Sequence, residues 1–252
     1  MSARNLLKVM LPVSARRWLR RQPLNVERAL GGDEGMDLLR RTTPVGDGWG
    51  GPRGQIIDRY YIEKFLARHA TDIRGRVLEF DDDAYARKFG GDKVKQVDVL
   101  SLTVENPRAT IVADLADGAK IPSGAFDCVI CTQVLLLVYD LHSAIRSLHR
   151  ILKPGGVVLV TAPGIQKISR GDMETCGDYW RFTTLSLRRL FEEVFPKDSV
   201  EVEASGNVLA AVAFLHGLAV EDLRPEDLDR HDPDFEVSIA LRAVKPVDVQ
   251  PA

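Results

Sequence analysis

Cysteine is scarce: Cys128, Cys131 and Cys176 are the only three in 252 residues. That is too few, and too odd a number, for a disulfide framework. Long apolar runs are lacking as well. No stretch approaches the roughly 18 residues that a membrane-crossing helix needs. An excess of charge is also missing, since 34 Lys and Arg stand against 36 Asp and Glu, for a net charge of −2. A protein that grips nucleic acid by its whole surface would be more basic. Histidine is limited to five residues, and there is no internal repeat or low-complexity tract. What is present is 45% hydrophobic and 28% charged residues, enough apolar material for one buried core in a chain of this size. The expectation is a soluble, cytoplasmic globular protein of undetermined oligomeric state.

Charge is unevenly spread. Residues 1–41 hold nine basic groups against four acidic ones. Residues 1–24 carry no acid and interleave Leu6, Leu7, Met10, Leu11, Trp18 and Leu19 with positive charge. Pro12 interrupts the stretch, which lacks the apolar centre and cleavage site of a secretory signal. Two readings stay open: a weak contact with anionic lipid or protein, or a solvated arm or a helix packed on its own domain. The second is the plainer. Residues 42–56, with five glycines and two prolines, read as a loop. The expected division is a basic extension and loop over 1–56 and a main domain over 57–252, with Gly48–Gly54 either a lid or a linker.

Beyond residue 57 helices and strands alternate. Ile57, Tyr60, Tyr61, Phe65 and Leu66 fall at helical spacing over 57–70. Short apolar runs at 76–80, 94–100, 109–113, 126–132 and 157–161 read as strands, and 139–152 and 183–195 as helices. Thr183 or Thr184 offers an N-cap, and Pro154-Gly155-Gly156 should end the helix before it. A strand at 200–204, a helix around 208–218 and a strand at 237–244 complete the pattern. This is an α/β fold: a Rossmann-like, mostly parallel sheet with helices on both faces and an antiparallel final strand.

In such a sheet ligands bind at the carboxyl ends of the strands. Strand one ends at Glu79-Phe80-Asp81, and Asp98 lies nineteen residues after Glu79, where an acid commonly holds a ribose diol. Strand three ends at Asp114-Leu115 and strand four at Thr132-Gln133. Cys128-x-x-Cys131 has the spacing of a redox or zinc pair. It lies within a strand, however, where residues three apart point to opposite faces, so no metal is expected.

Residues 126–164, FDCVICTQVLLLVYDLHSAIRSLHRILKPGGVVLVTAPG, and residues 178–193, DYWRFTTLSLRRLFEE, carry a resemblance. Their order and the LKPGG segment are similar to the class I S-adenosylmethionine-dependent methyltransferases, type 11 small-molecule group. That family follows strand one with an acid and a Gly-x-Gly-x-Gly turn. Here Glu79 supplies the acid, while Asp81 and Asp83 stand in the glycine places. Asp tolerates left-handed backbone better than most residues, so the turn should keep its form. The carboxylates would repel a phosphate but not a sulfonium or an ammonium group.

The resemblance implies S-adenosyl-L-methionine as cofactor, held by Arg59, Tyr60, Glu79, Asp81, Asp98, Asp114, Leu115 and Gln133. It places Trp180, Arg181 and Phe182 along the substrate wall, suited to a planar or sugar acceptor with a negative group. Family histidines after strand four are replaced by Leu136 and Leu137, leaving His142, His216 and Tyr61 as candidate bases. The implied activity is methyl transfer to an oxygen, or less readily a nitrogen, of a small molecule such as a glycan sugar or secondary metabolite. The alternatives are a non-catalytic binding protein of the same fold and an enzyme doing other chemistry in the same pocket.

Overall fold

The apolar runs become the strands of one seven-stranded sheet in the computed structural model, which describes residues 41–247. The reading of residues 1–24 as a basic arm lies outside the described residues. In chain order the elements are α1 (Ile57–Arg68), β1 (Gly75–Phe80), β2 (Val94–Ser101), β3 (Ile111–Val112), β4 (Phe126–Thr132), α2 (Leu141–Ile151) and β5 (Leu152–Pro163). There follow α3 (Arg170–Thr175), α4 (Thr184–Glu192), β6 (Val200–Ser205), α5 (Val208–Leu215), α6 (Pro225–Asp229) and β7 (Ser238–Val244). Strand order is β3-β2-β1-β4-β5-β7-β6. Pairings from β3 to β5 are parallel, and β7 runs antiparallel to both β5 and β6. The expected Rossmann-like sheet is therefore present. The direction of chain progression reverses between β1 and β4, the place where such sheets bind ligands.

Alternation along the strands divides the interior into two cores. Leu78, Val129, Cys131, Val158 and Val160 pack with Ile145 and Leu148 of α2 and with Leu187 and Phe191 of α4. Val77, Cys128, Ile130 and Leu159 pack on the other face with Ile62, Phe65 and Leu66 of α1. Cys128 and Cys131 thus lie on opposite faces, as period-two geometry requires. Burial pushes both thiols far above their ordinary range. The helix starts follow local chemistry. Asp140 accepts from Ser143 N at 3.0 Å to cap α2, and Thr183 and Ser186 form a reciprocal capping box at α4.

Two segments depart from the sequence reading. The strand expected over 109–113 shrinks to Ile111–Val112, because a turn closed by Ala109 N on Asn106 O takes its start. Pro154-Gly155-Gly156 ends α2 as expected but does not leave the sheet, since β5 already begins at Leu152. Gly155, at φ +76°, donates its N–H to Lys245 O, and Lys245 N donates to Gly156 O. The bend is stitched to the residues just after β7.

The chain divides into two compact units. The sheet belongs to the unit of Tyr61–Ser205 and the residues from Pro233 onward. The other joins the residues up to Tyr60 to Gly206–Asp232. Within it the glycine-rich segment is fastened down. Arg53 grips Asp222 through Nε (2.7 Å) and Nη2 (2.6 Å), Ile56 bridges Ala219, and the Trp49 ring lies 5.6 Å from that of Phe214.

Candidate functional site

The turn after β1 is built around two acids. Asp81 adopts φ +62°, the left-handed conformation in which glycine would be free of strain. Its N–H donates to Leu100 O at 3.0 Å, its Oδ1 accepts from Ser101 Oγ at 3.1 Å, and its carbonyl accepts from Asn106 Nδ2 at 2.7 Å. The turn is thereby laid across the end of β2. Glu79, 2% exposed, accepts from the N–H groups of Tyr85 (3.0 Å) and Ala86 (2.8 Å). Burial pushes its carboxyl up to about 7, outweighing those two hydrogen bonds, and Asp82 and Asp83 add to the rise.

Asp98 calls for a correction. The register pairs it with Leu78, and the strand continues to Ser101, so it does not stand at the strand end. Its carboxylate is used internally by Arg76 Nε (2.7 Å), Gln96 Nε2 (3.1 Å) and Thr110 Oγ1 (3.2 Å). Spacing along the chain matched the ribose acid, but pairing register placed the residue three positions too early. At the β3 end Asp114 is exposed and accepts from Ala116 N at 2.8 Å, while Leu115 is buried.

The β4 end holds the second strained residue. Gln133 adopts φ +55° and donates its N–H to Thr161 O at 2.8 Å. Both polar atoms of its side chain are buried without a hydrogen-bond partner, and so is the hydroxyl of Thr161 on β5. Past β5, Trp180 donates Nε1–H to Val138 O at 3.0 Å. Tyr139 lies 6.0 Å from Trp180 in a stacked arrangement and meets Tyr179 edge-on at 5.3 Å.

Arg181 and Phe182 are not free for a substrate. Arg181 donates to both oxygens of Asp178 (2.5 and 3.0 Å) and to the carbonyls of Gln166 (3.2 Å), Lys167 (2.7 Å) and Trp180 (2.8 Å). Its guanidinium is a strut that ties together Gln166, Lys167 and Asp178. Phe182 is buried in the α2/α4-side core. The candidate bases are scattered. His142 is exposed on α2 and bonds Glu193 through Nδ1 at 2.9 Å, and Tyr61 is buried. His216 lies in the other unit, where its carbonyl accepts from Val45 N and Gly46 N. Arg59 and Tyr60 lie there too, with Tyr60 donating its hydroxyl to Asp229 at 2.5 Å.

Within the sheet unit, then, the strand ends carry Glu79, Asp81, Asp114 and Gln133. Ser101 and Thr161 join them, neither singled out by the sequence. A hydroxyl in the otherwise apolar run VVLVTA was a signal for Thr161; Ser101 had none without the register. Among the described residues no helix is long and apolar enough to cross a membrane, and no cluster of His, Cys, Asp and Glu could hold a metal ion.

Residues 63–160 match a family model described as a methyltransferase domain. The ubiquinone/menaquinone biosynthesis C-methyltransferase UbiE of Enterobacter sp. (strain 638) is 33% identical over 99 residues, covering 38% of this chain and 37% of that protein. UbiE of Escherichia coli O1:K1 / APEC is 32% identical over a stretch of the same length, with the same coverage. The chain thus spans little more than a third of the length of the curated relatives it matches. A SAM dependent methyltransferase from Archaeoglobus fulgidus superposes with TM-score 0.50 at 12% identity, covering 77% of this chain and 96% of that one. The [4+2]-cyclase SpnF gives 0.51 at 18%, covering 90% and 97%. These two solved structures share the fold. One is named a methyltransferase and the other a cyclase, so fold alone does not choose the reaction.

Proposed function

We propose that the protein transfers a methyl group from S-adenosylmethionine to a small-molecule acceptor, a reading supported by the match of residues 63–160 to a methyltransferase domain model and by the similarity to methyltransferases. The observation that carries this reading is the turn after β1. Asp81 holds the left-handed backbone that the family gives to glycine, and its bonds to Leu100, Ser101 and Asn106 fix the turn at the end of β2.

The residues present suit that cofactor. The carboxylates of Asp81, Asp82 and Asp83 favour a cationic sulfonium or ammonium over a phosphate. Asp81, beside Ser101, is the acid at the β2 end with the chemistry to accept from a ribose diol, the duty expected of Asp98. Asp114 offers an acceptor for an adenine amino group, and Leu115 an apolar neighbour. Glu79 holds the N–H groups of Tyr85 and Ala86 and so keeps the turn closed.

The bound cofactor supplies an activated methyl group, and the chain's own task is to orient the acceptor and exclude water. Orientation of this kind contributes about 7–11 kcal/mol in favourable cases. The sequence reading favoured a sugar oxygen as acceptor. The similarity to proteins named C-methyltransferases supports carbon instead, and we take carbon as the acceptor atom. A cytoplasmic location accords with this activity.

Calorimetric titration with S-adenosylmethionine and S-adenosylhomocysteine tests the reading. Micromolar binding of both is expected. No binding up to millimolar concentration would leave a methyltransferase fold without its cofactor, and the proposal would fall.

A further inference from the structure

We propose that Arg188 guards the outer edge of the sheet, covering β6 carbonyls onto which the β6 of a second copy of this chain would otherwise add.

Which groups of β6 face outward follows from its neighbour β7. Lys245, the residue after β7, turns both backbone groups to the β5 side: its N–H donates to Gly156 O and its carbonyl accepts from Gly155 N. In an antiparallel strand the N–H and C=O of one residue point the same way, and successive residues alternate. Ala243, Leu241 and Ile239 therefore serve β5, while Arg242 and Ala240 serve β6 through their partners Glu201 and Glu203. Val200, Val202 and Ala204 are left with their backbone groups pointing away from β7. Among the described residues no further strand lies beyond β6. A row of unmatched donors and acceptors at a sheet edge is a template for another strand.

Arg188 of α4 sits on that row. Its Nη1 donates to Val200 O at 3.1 Å, and its Nη2 reaches Val202 O at 3.5 Å. A helix side chain thus takes two of the acceptors that an added strand would need. The rest of the edge is open to self-addition. A copy running antiparallel and centred on Val202 would set Val202 opposite its counterpart and Val200 opposite Ala204. It would also set Glu201 opposite Glu203, and like charges so placed disfavour pairing. Here, however, Glu201 is bonded by Arg242 at 3.0 Å and Glu203 by Arg68, so both carboxylates are answered within the chain. The strand VEVEAS contains neither proline nor lysine, the residues that commonly blunt an edge. That task falls to Arg188.

The test is Arg188→Met in the full chain, which keeps the apolar stem and removes the donors. Sedimentation velocity at about 100 μM should give about twice the mass of the unsubstituted chain. Amide exchange at Val202 and Ala204, fast in the unsubstituted chain, should slow about tenfold in the variant at that concentration. Val202→Pro removes an outward N–H that the β7 ladder does not use, and an edge strand tolerates proline there. Added to Arg188→Met it should return the mass to that of the unsubstituted chain; placed alone it should leave fold and mass unchanged. An unaltered mass for Arg188→Met would overturn the proposal, as would a doubled mass without protection of those two amides. Aggregates that Val202→Pro does not prevent would mean that Arg188→Met misfolds rather than pairs, and would overturn it too. Unfolding by Val202→Pro alone would refute the outward assignment, and a lowered mass would show an edge already paired.

Discussion

The two ends of the same sheet are finished to different standards. At the amino ends of the strands, polar groups are matched. Arg76 pairs Asp98 and lies over the ring of Phe126, Asp127 accepts from Arg76 N and Lys153 Nζ, and Arg242 pairs Asp72 and Glu201. At the carboxyl ends stand two non-glycine residues in left-handed backbone, a buried carboxyl raised to about 7, and three buried polar atoms with no partner. Both ends belong to one cooperative structure and share its strands. The contrast therefore teaches where stability has been given up, and a fold gives it up where a ligand will later restore it.

The largest expected effect comes from damaging the matched end. Asp98→Ala leaves Arg76, Gln96 and Thr110 without their shared acceptor. Because Arg76 is one-third exposed, the loss should fall below that of a fully buried pair, at about 2–3 kcal/mol in urea unfolding. Affinity for S-adenosylhomocysteine should change less than about threefold. Unchanged stability with a tenfold loss of affinity would return Asp98 to the site.

Next comes the pH dependence of the unmatched end. The folded chain keeps the Glu79 proton up to about pH 7, whereas the unfolded chain loses it near the ordinary value of 4.5. Stability from this group is full below about 4.5, falls as pH rises towards 7, and is flat above. His69 and His149, which burial pulls below their ordinary value, act in the opposite sense. The comparison with Glu79→Gln isolates the carboxyl. Between pH 5 and 8 the unsubstituted chain should lose on the order of 2 kcal/mol relative to the variant; parallel profiles would show that Glu79 titrates normally.

The smallest effects should have the opposite sign. Thr161→Val and Gln133→Gly are each expected to stabilise the ligand-free chain by about 0.5–1 kcal/mol, read as a raised unfolding midpoint. Destabilisation by both would mean that these atoms find partners after all, and the contrast between the two ends would dissolve.

Much of the fold was legible because apolar periodicity is a local signal. The alternation of Cys128, Ile130 and Val129, Cys131 placed two faces correctly, and local chemistry narrowed the cap to Thr183 or Thr184, of which Thr183 fills it. The site was legible only in part. Glu79, Asp81 and Gln133 were named because they stand at or just after the ends of β1 and β4, and Asp81 does adopt the left-handed backbone expected of its place in the turn. Asp98 misled, since a count of residues says nothing about which partner a strand residue faces; Leu78 does. Arg181 misled for a similar reason. Its partners Asp178, Gln166 and Lys167 lie close in sequence, but a guanidinium committed to them reads the same as one turned to a substrate.

The position of β7 carries a consequence for how the chain is made. It enters between β5 and β6, and among the described residues β6 pairs with no other strand. During synthesis β6 therefore emerges with nothing to join, and the edge of β5 stays open, until residues 238–244 follow. The parallel half can close as it is made, whereas the last two strands must dock together. A nascent chain paused before β7 would expose an unpaired apolar edge, and this is the interval in which it would need a chaperone.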